Sequence, residues 1–499
     1  MKPLRAIIAQ PAQPDCRMAI MNTSSHIPHV AIIGGGFSGA ALAWHLTRNS
    51  NRPKRITVFE PRPFLGAGLA YGATDPQHRV NVPATRMSID TQQPDDFINW
   101  IKQTNALAND PAAYRPDGSV FPARSVFGRY IADRLAPFLH TGQVIHLRQQ
   151  VASVYKRANE GWVITDGQGR TISADIVVIA TSHPAPQPPK LLQDAYLGSA
   201  HRPVLVTNPW QPNALDSIGV SDRVLIVGTG LSMADAVVTL TACGHTGGIT
   251  AVSRRGQRSR GHAAGSVSPV GQFISPPSRT ALQLLRRIRY ELAANPHLPW
   301  QALFDRIREQ APDIWAALSL AERKRLIRHV RPFWDTHRFR IAPQVEEVLH
   351  TRERAGTLEV LAGRLTDVQV ERGRFVITIR RGATTVRHEA YNAIITTTGP
   401  AHDAIIHTVP FIHQLAAAGL VEMDATGLGL HVDAIGRACV GSRHENTLFV
   451  AGPLARGLFG ELMGLPEVTR YAEKLAVTLD AVPASFPSLH HSEQEWAAT

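Results

Sequence analysis

Two stretches of the chain repeat one pattern of apolar and polar positions. In the first, the β-branched run Val30 to Ile33 ends in a cluster of glycines. Small and apolar residues continue from Ser38 to Leu46, and a second apolar run occupies Ile56 to Phe59. A short apolar run without alternation, closed by glycine, predicts a strand buried on both faces, and the stretch after it predicts a helix packed on that strand. The second stretch, RVLIVGTGLSMADAVVTL followed by ITAVSRR, predicts the same βαβ unit.

A longer repeat lies downstream of each unit. Between Val144 and Ser182 the chain reads VIHL, VASVYK, WVITD and TISADIVVIATS, separated by polar turns. Between Leu358 and Gly399 it reads LEVLAG, LTDVQVE, FVITIRRG and TTVRHEAYNAIITTTG. Order, spacing and ending agree, so each copy predicts a β-meander that crosses back into a final buried strand. The expected fold class is α/β: two Rossmann-like three-layer dinucleotide-binding domains, the second inserted in the first. The expected division is 28–200 with 401–485 for the first domain and 201–400 for the second. A disordered extension, 1–27, and a tail, 486–499, flank them. Residues 61–140 add GAGLAYG, HRVNVPATRMS and a helical stretch from Asp95 to Ile101. Residues 256–350 begin as a Gly/Ser/His/Pro-rich loop and continue as Arg-rich helices, a helical insertion large enough to cap a site.

The glycine clusters carry the chemistry. Gly34, Gly35, Gly36, Ser38 and Gly39 form a G-x-G-x-x-G turn between strand and helix. Such a turn lets a pyrophosphate approach the backbone and offers it the free N–H groups of the helix N-terminus. Glu60 closes the second strand, about 20 residues on, where an acid accepts ribose hydroxyls. The second cluster holds Gly228, Gly230 and Ser232, with the third glycine read as replaced by alanine or serine. Its second strand ends on Ser253, Arg254 and Arg255, which match a 2′-phosphate instead. An acid at one site and bases at the other point to FAD and NADPH together.

Composition narrows the picture. The 499 residues are 44% hydrophobic and 18% charged, with a net charge of +12. That charge is scattered, mostly as Arg, without a nucleic-acid-binding motif, so anionic cofactors or substrates are the expected partners and nucleic acid is not. Cys16, Cys243 and Cys439 form no C-x-x-C pair, which removes a redox dithiol and a disulfide framework and makes the cytoplasm the expected location. No apolar run reaches the roughly 20 residues a membrane span needs, and no His/carboxylate spacing suggests a metal site, so none is expected. His183 and His262 read as loop residues.

GGGFSGA, GLAYG with HRVNVPATRMS, the ATS hinge at Ala180–Ser182, GTGLSMADA, TTTGP at Thr396–Pro400 and AGPLARGLFGELMGLPE together resemble the two-dinucleotide-binding-domain flavoproteins. The chain is most similar there to FAD/NAD(P)-binding proteins related to flavin-containing and N-hydroxylating monooxygenases. The resemblance implies an FAD-dependent, NADPH-using oxidoreductase that forms a flavin C4a-hydroperoxide from dioxygen and oxygenates a small substrate. An NADPH oxidase or reductase serving a quinone or partner protein, and a non-catalytic flavin or nucleotide sensor, are the alternatives. It also implies that Asn81, in Val-Asn-Val-Pro-Ala, stands beside the flavin ring as the catalytic residue, against a turn role before Pro83. Arg79 is expected as a phosphate or structural partner, and Val151 as a cofactor contact. Near the C-terminus Gly452 approaches the flavin, while Pro453 occupies the position of an aspartate that holds the ribityl chain in such proteins. Glu461 or Glu467 could replace that contact or be helix-face carboxylates. In RPFWDTHRFRIAP, the residues Trp334, His337, Arg338 and Arg340 could line a substrate or nicotinamide pocket, or form an Arg-rich helix end over a buried Trp.

Overall fold

The computed structural model describes residues 27–482 apart from 49–51, 158–160, 183, 185, 266, 384 and 400–403. The expected tail, all but the last residue of the expected extension, Cys16, His183 and Pro400 lie outside the described residues. Strands β1 (His29–Ile33), β2 (Arg55–Phe59) and β3 (Val144–Leu147) are followed by β4 (Val151–Arg157), β5 (Gly161–Asp166), β6 (Thr171–Ala174) and β7 (Ile176–Ile179). Strand β8 (Val204–Val206) precedes β9 (Val224–Val227), β10 (Ile249–Ser253) and β11 (Leu358–Ala362). Then come β12 (Arg364–Glu371), β13 (Arg374–Arg381), β14 (Thr385–Tyr391) and β15 (Ala393–Thr396), and finally β16 (Arg437–Val440) and β17 (Arg443–Val450).

These strands form two main sheets, in the orders β16-β17-β7-β1-β2-β3 and β11-β10-β9-β15-β8, and two antiparallel meanders, β4-β5-β6 and β12-β13-β14. All neighbours in the main sheets are parallel except β16 with β17. The internal repeat is thus matched in space, with one refinement. VIHL and LEVLAG do not join the meanders. They become β3 and β11, the outer parallel strands of the main sheets. A strand one step removed from a meander has the same local apolar pattern as a meander strand, so sequence alone does not separate them.

The three-layer build follows from side-chain alternation along each central strand. In the first sheet Val30, Ile32, Ile56, Val58, Ile176 and Val178 pack with the helices on one face. Ala31, Ile33, Val177 and Ile179 pack with Val154, Trp162 and Ile164 of the meander on the other. The second sheet repeats this. Val224, Ile226 and Ala251 face helices, and Leu225, Val227 and Ile394 face Phe375, Ile377 and Ile379 of the second meander. Residues 256–350 carry a small core of their own around Phe273, Leu303 and Ile307, beneath helices Ala281–Ala294 and Trp300–Glu309.

Candidate active site

Gly34 leaves β1 with φ +109°, a region that only glycine visits freely. A Cβ there would collide with the Ala180 carbonyl at the end of β7. Five residues further, a Cβ on Gly39 would run into the Gly34 carbonyl, so helix Phe37–Arg48 can sit this close to the turn only with glycine. Gly36 is different: an added Cβ would meet only the Gly68 Cα, at 3.5 Å. The turn is therefore tight on the protein side and open where the backbone of Gly36 faces outward.

Other predicted residues converge on this turn. Glu60 is 4% exposed and accepts the Gly35 N–H at 3.1 Å and the Arg62 N–H at 3.0 Å, which fixes its carboxylate beside the glycines. Its backbone N–H donates to Leu147 at the end of β3, which leads to Val151 at the start of β4. From the far end of the chain, β17 pairs with β7 and delivers Gly452, at φ +70°, against Ser38, where an added Cβ would strike the Ser38 side chain. Thr181, just past β7, keeps its hydroxyl buried without a partner among the described residues. The sequence reading named the hinge but not this hydroxyl. By register its counterpart after β15 is Thr398, since Ala180 and Thr397 both donate their N–H groups to the strand before the glycine turn, at Ile33 and Val227.

The second turn copies the first. Gly228 has φ +122°, and a Cβ would strike Thr397. Its N–H donates to Val252 as that of Gly34 donates to Phe59, and Ala234 donates to Gly230 as Ala40 donates to Gly36. This register places Met233, not an alanine or serine, at the position of Gly39. The helix Leu231–Ala242 must accordingly accommodate a side chain where the first helix carries none. Ser253 accepts a hydrogen bond from Thr229 at 2.9 Å and from the Gly256 N–H at 3.1 Å, which holds the loop after β10 against the glycine turn. Arg254 is exposed and has no partner among the described residues, whereas the Arg255 guanidinium lies over the Phe333 ring, 4.7 Å from its centroid.

Several expectations are corrected by partner choice. Arg79 turns inward to a two-point ion pair with Asp110, one contact at 2.9 Å, and braces its segment, the structural alternative of the two expected for it. Glu461 and Glu467 are not free helix-face carboxylates but are held in ion pairs. Glu461, 3% exposed, pairs with Arg338 at 3.0 Å, and Glu467 pairs with Arg308 at 2.7 and 2.9 Å. The suggested pocket residues are likewise spent on structure. Trp334 donates to Glu461 and stacks on Phe304, His337 packs between Trp300 and Phe304, and Arg340 grips Asp305 at 2.7 Å. Trp334 fastens the insertion to the first domain, together with Trp315, which donates to the Gly457 carbonyl at 2.9 Å, while His337 and Arg340 hold the insertion to itself.

Asn81 lies half-buried in the loop before Pro83, and its amide makes no hydrogen bond among the described residues. An Asn serving its own turn would show such a bond. Instead its backbone carbonyl accepts from Nε2 of His262, at 3.0 Å, which fixes the Nε2–H tautomer and ties the loop to the insertion. Burial, assisted by the nearby Arg340 charge, lowers the His262 pKa to about 4. An unfolded histidine takes its proton near pH 6.5. The stability this neutral ring contributes is therefore full above pH 6.5 and lost as pH falls towards 4, roughly 3 kcal/mol in all. His262→Gln should flatten that limb of a urea-derived stability–pH curve, and an unaltered slope would show that the proton binds elsewhere.

Among the described residues no group of His, Cys, Asp and Glu is placed to hold a metal, and no helix is long and apolar enough to cross a membrane. Residues 31–184 match a family model described as FAD-NAD(P)-binding. A salicylate hydroxylase from Sarocladium schorii is 29% identical over 215 residues, 36% of this chain and 44% of that protein. The chain thus spans less than half the length of the curated relative it matches. Similar solved structures include an ornithine hydroxylase from Pseudomonas aeruginosa, with TM-score 0.60, 14% identity and 91% of this chain and 99% of that one covered. A cadaverine monooxygenase from Erwinia amylovora bound to FAD gives 0.59, 13%, 95% and 99%. An ornithine N-hydroxylase from Kutzneria sp. 744, with reduced FAD, NADP+ and L-ornithine, gives 0.58, 15%, 91% and 99%. At these identities the likeness shows the fold, that of the two-dinucleotide-binding-domain flavoproteins.

Proposed function

We propose that the chain is an FAD-dependent, NADPH-using monooxygenase acting with dioxygen on a small molecule. The observation that carries this reading is the convergence of the first glycine turn, Glu60, the unpartnered Thr181 hydroxyl and Gly452 on one place, with the free Asn81 amide in the loop beside the insertion. The residues present suit FAD: an open Gly36 face for the pyrophosphate, a fixed carboxylate for the ribose, and the N-terminus of helix Phe37–Arg48 for the phosphate charge. Bound FAD would supply electron transfer from NADPH and activation of dioxygen. Segments 28–200 and 401–485 would hold FAD, and 201–400 would hold NADPH through Gly228, Gly230, Ser232, Ser253 and Arg254. Pro453 lends no polar side chain, so the hold near Gly452 falls to backbone. The cytoplasm is the proposed location, consistent with the free thiols of Cys243 and Cys439.

The chain's own part is positional. The insertion excludes water, and Asn81 presents an amide to charge that develops at the reacting centre. The test is stopped-flow absorbance of protein reduced by NADPH and then mixed with oxygen. A transient distinct from both oxidised and reduced flavin supports the reading. Immediate reoxidation with stoichiometric peroxide would instead make it an oxidase. Asn81→Ala should leave folding and NADPH-dependent reduction nearly intact while raising peroxide released per NADPH several-fold. A lowered melting temperature with unchanged peroxide would return Asn81 to a structural role.

A further inference from the structure

The contact between the insertion and the C-terminal segment gathers four guanidiniums and three carboxylates. Arg308 pairs with Glu467, Arg338 with Glu461, and Arg331 with Asp335 at 3.2 Å. Arg456, only 3% exposed, is left over. Its Nε donates to the Gly460 carbonyl at 3.1 Å, but its two amino groups have no partner, and no carboxylate lies within ion-pair distance of it, among the described residues. A buried unpaired guanidinium costs several kcal/mol of desolvation, so its retention calls for an anion that visits.

We propose that Arg456 is the recognition site for a carboxylate group on the small-molecule substrate. Arg456 follows directly on the turn Gly452–Ala455, which touches Ser38, so it stands next to the flavin place of the reading above, on which this inference rests. It faces the helix Arg331–Arg338 of the insertion; burial lowers its pKa, and the nearby Glu461 and Asp335 charges offset this only in part. On the same face Glu461 is held by Arg338 and Trp334, and Asp335 is held by Arg331 through Oδ2 and lies beyond ion-pair distance of Arg456. A planar guanidinium with two free amino groups takes a carboxylate through two parallel hydrogen bonds, which favours a carboxylate over a neutral amide of equal shape.

Thermal melting of the full chain with benzoate and with benzamide tests this, and it reads binding whether or not oxygenation occurs. Benzoate should raise the melting temperature, and benzamide should not. Arg456→Met should weaken benzoate roughly ten- to a hundredfold and melt at or above the wild type, because a neutral side chain removes an unpaired buried charge. Equal response to benzoate and benzamide, or unchanged benzoate affinity in Arg456→Met, overturns the proposal. Should Arg456→Met melt lower and lose the response, Arg456→Lys decides. Partial recovery of benzoate selectivity supports the site, and recovered stability without selectivity makes Arg456 structural.

Discussion

Gly36→Val should give a folded protein that purifies without FAD. A Cβ at Gly36 makes only ordinary contact with Gly68, so the protein itself tolerates it. The valine methyl groups would instead fill the space through which pyrophosphate reaches the backbone. Losing even one charge-assisted hydrogen bond costs about 1.5–3 kcal/mol, and several are lost together, so FAD binding should weaken at least a hundredfold. Gly39→Ala makes the contrast, since its methyl would meet the Gly34 carbonyl and should cost stability first. The measurement is flavin absorbance per protein alongside the melting curve. A yellow Gly36→Val protein with wild-type flavin content would remove the first turn from the cofactor site.

The second large effect concerns nucleotide choice. Removing Arg254 and Arg255 together should weaken NADPH about ten- to a hundredfold and leave NADH nearly unchanged, because only the 2′-phosphate loses charge-assisted partners. The structure divides the effect unevenly. Arg254 is exposed and has no partner among the described residues, while Arg255 already rests on Phe333 of the insertion. Arg254→Ala alone should therefore account for most of the loss. Flavin-reduction rates with NADPH and NADH give the ratio directly. A double variant that keeps the wild-type ratio would place the phosphate elsewhere.

What the sequence made legible is what local chemistry encodes. Short apolar runs located β1, β2, β9 and β10, those of β1 and β9 closed by glycine, and the repeat located both meanders, because burial pattern and turn residues are properties of neighbouring positions. Partners across the fold are not. Nothing near Glu461 says that it meets Arg338 of the insertion, nor near Arg79 that it meets Asp110 thirty-one residues on, since these pairs form only once distant segments are folded together. Trp334, His337 and Arg340 have the composition of a ligand pocket, yet their ring and guanidinium contacts are with one another's neighbours in the insertion. Met233 was missed for a simpler reason. An alanine follows it in the chain, and the register becomes clear only from the matching hydrogen bonds of the two turns.

The position of β17 beside β7 has a bearing on how the protein is made. A chain leaves the ribosome N-terminus first, and early segments begin to fold while later ones are still being added. The glycine turn, Glu60 and Thr181 emerge early, but the sheet edge at β7 stays open until β17 arrives from the C-terminal part. Gly452 then closes on Ser38 and completes the place proposed for the flavin. Cofactor loading is thereby tied to a finished polypeptide, and a prematurely ended product retains an unsatisfied strand edge for quality control to find.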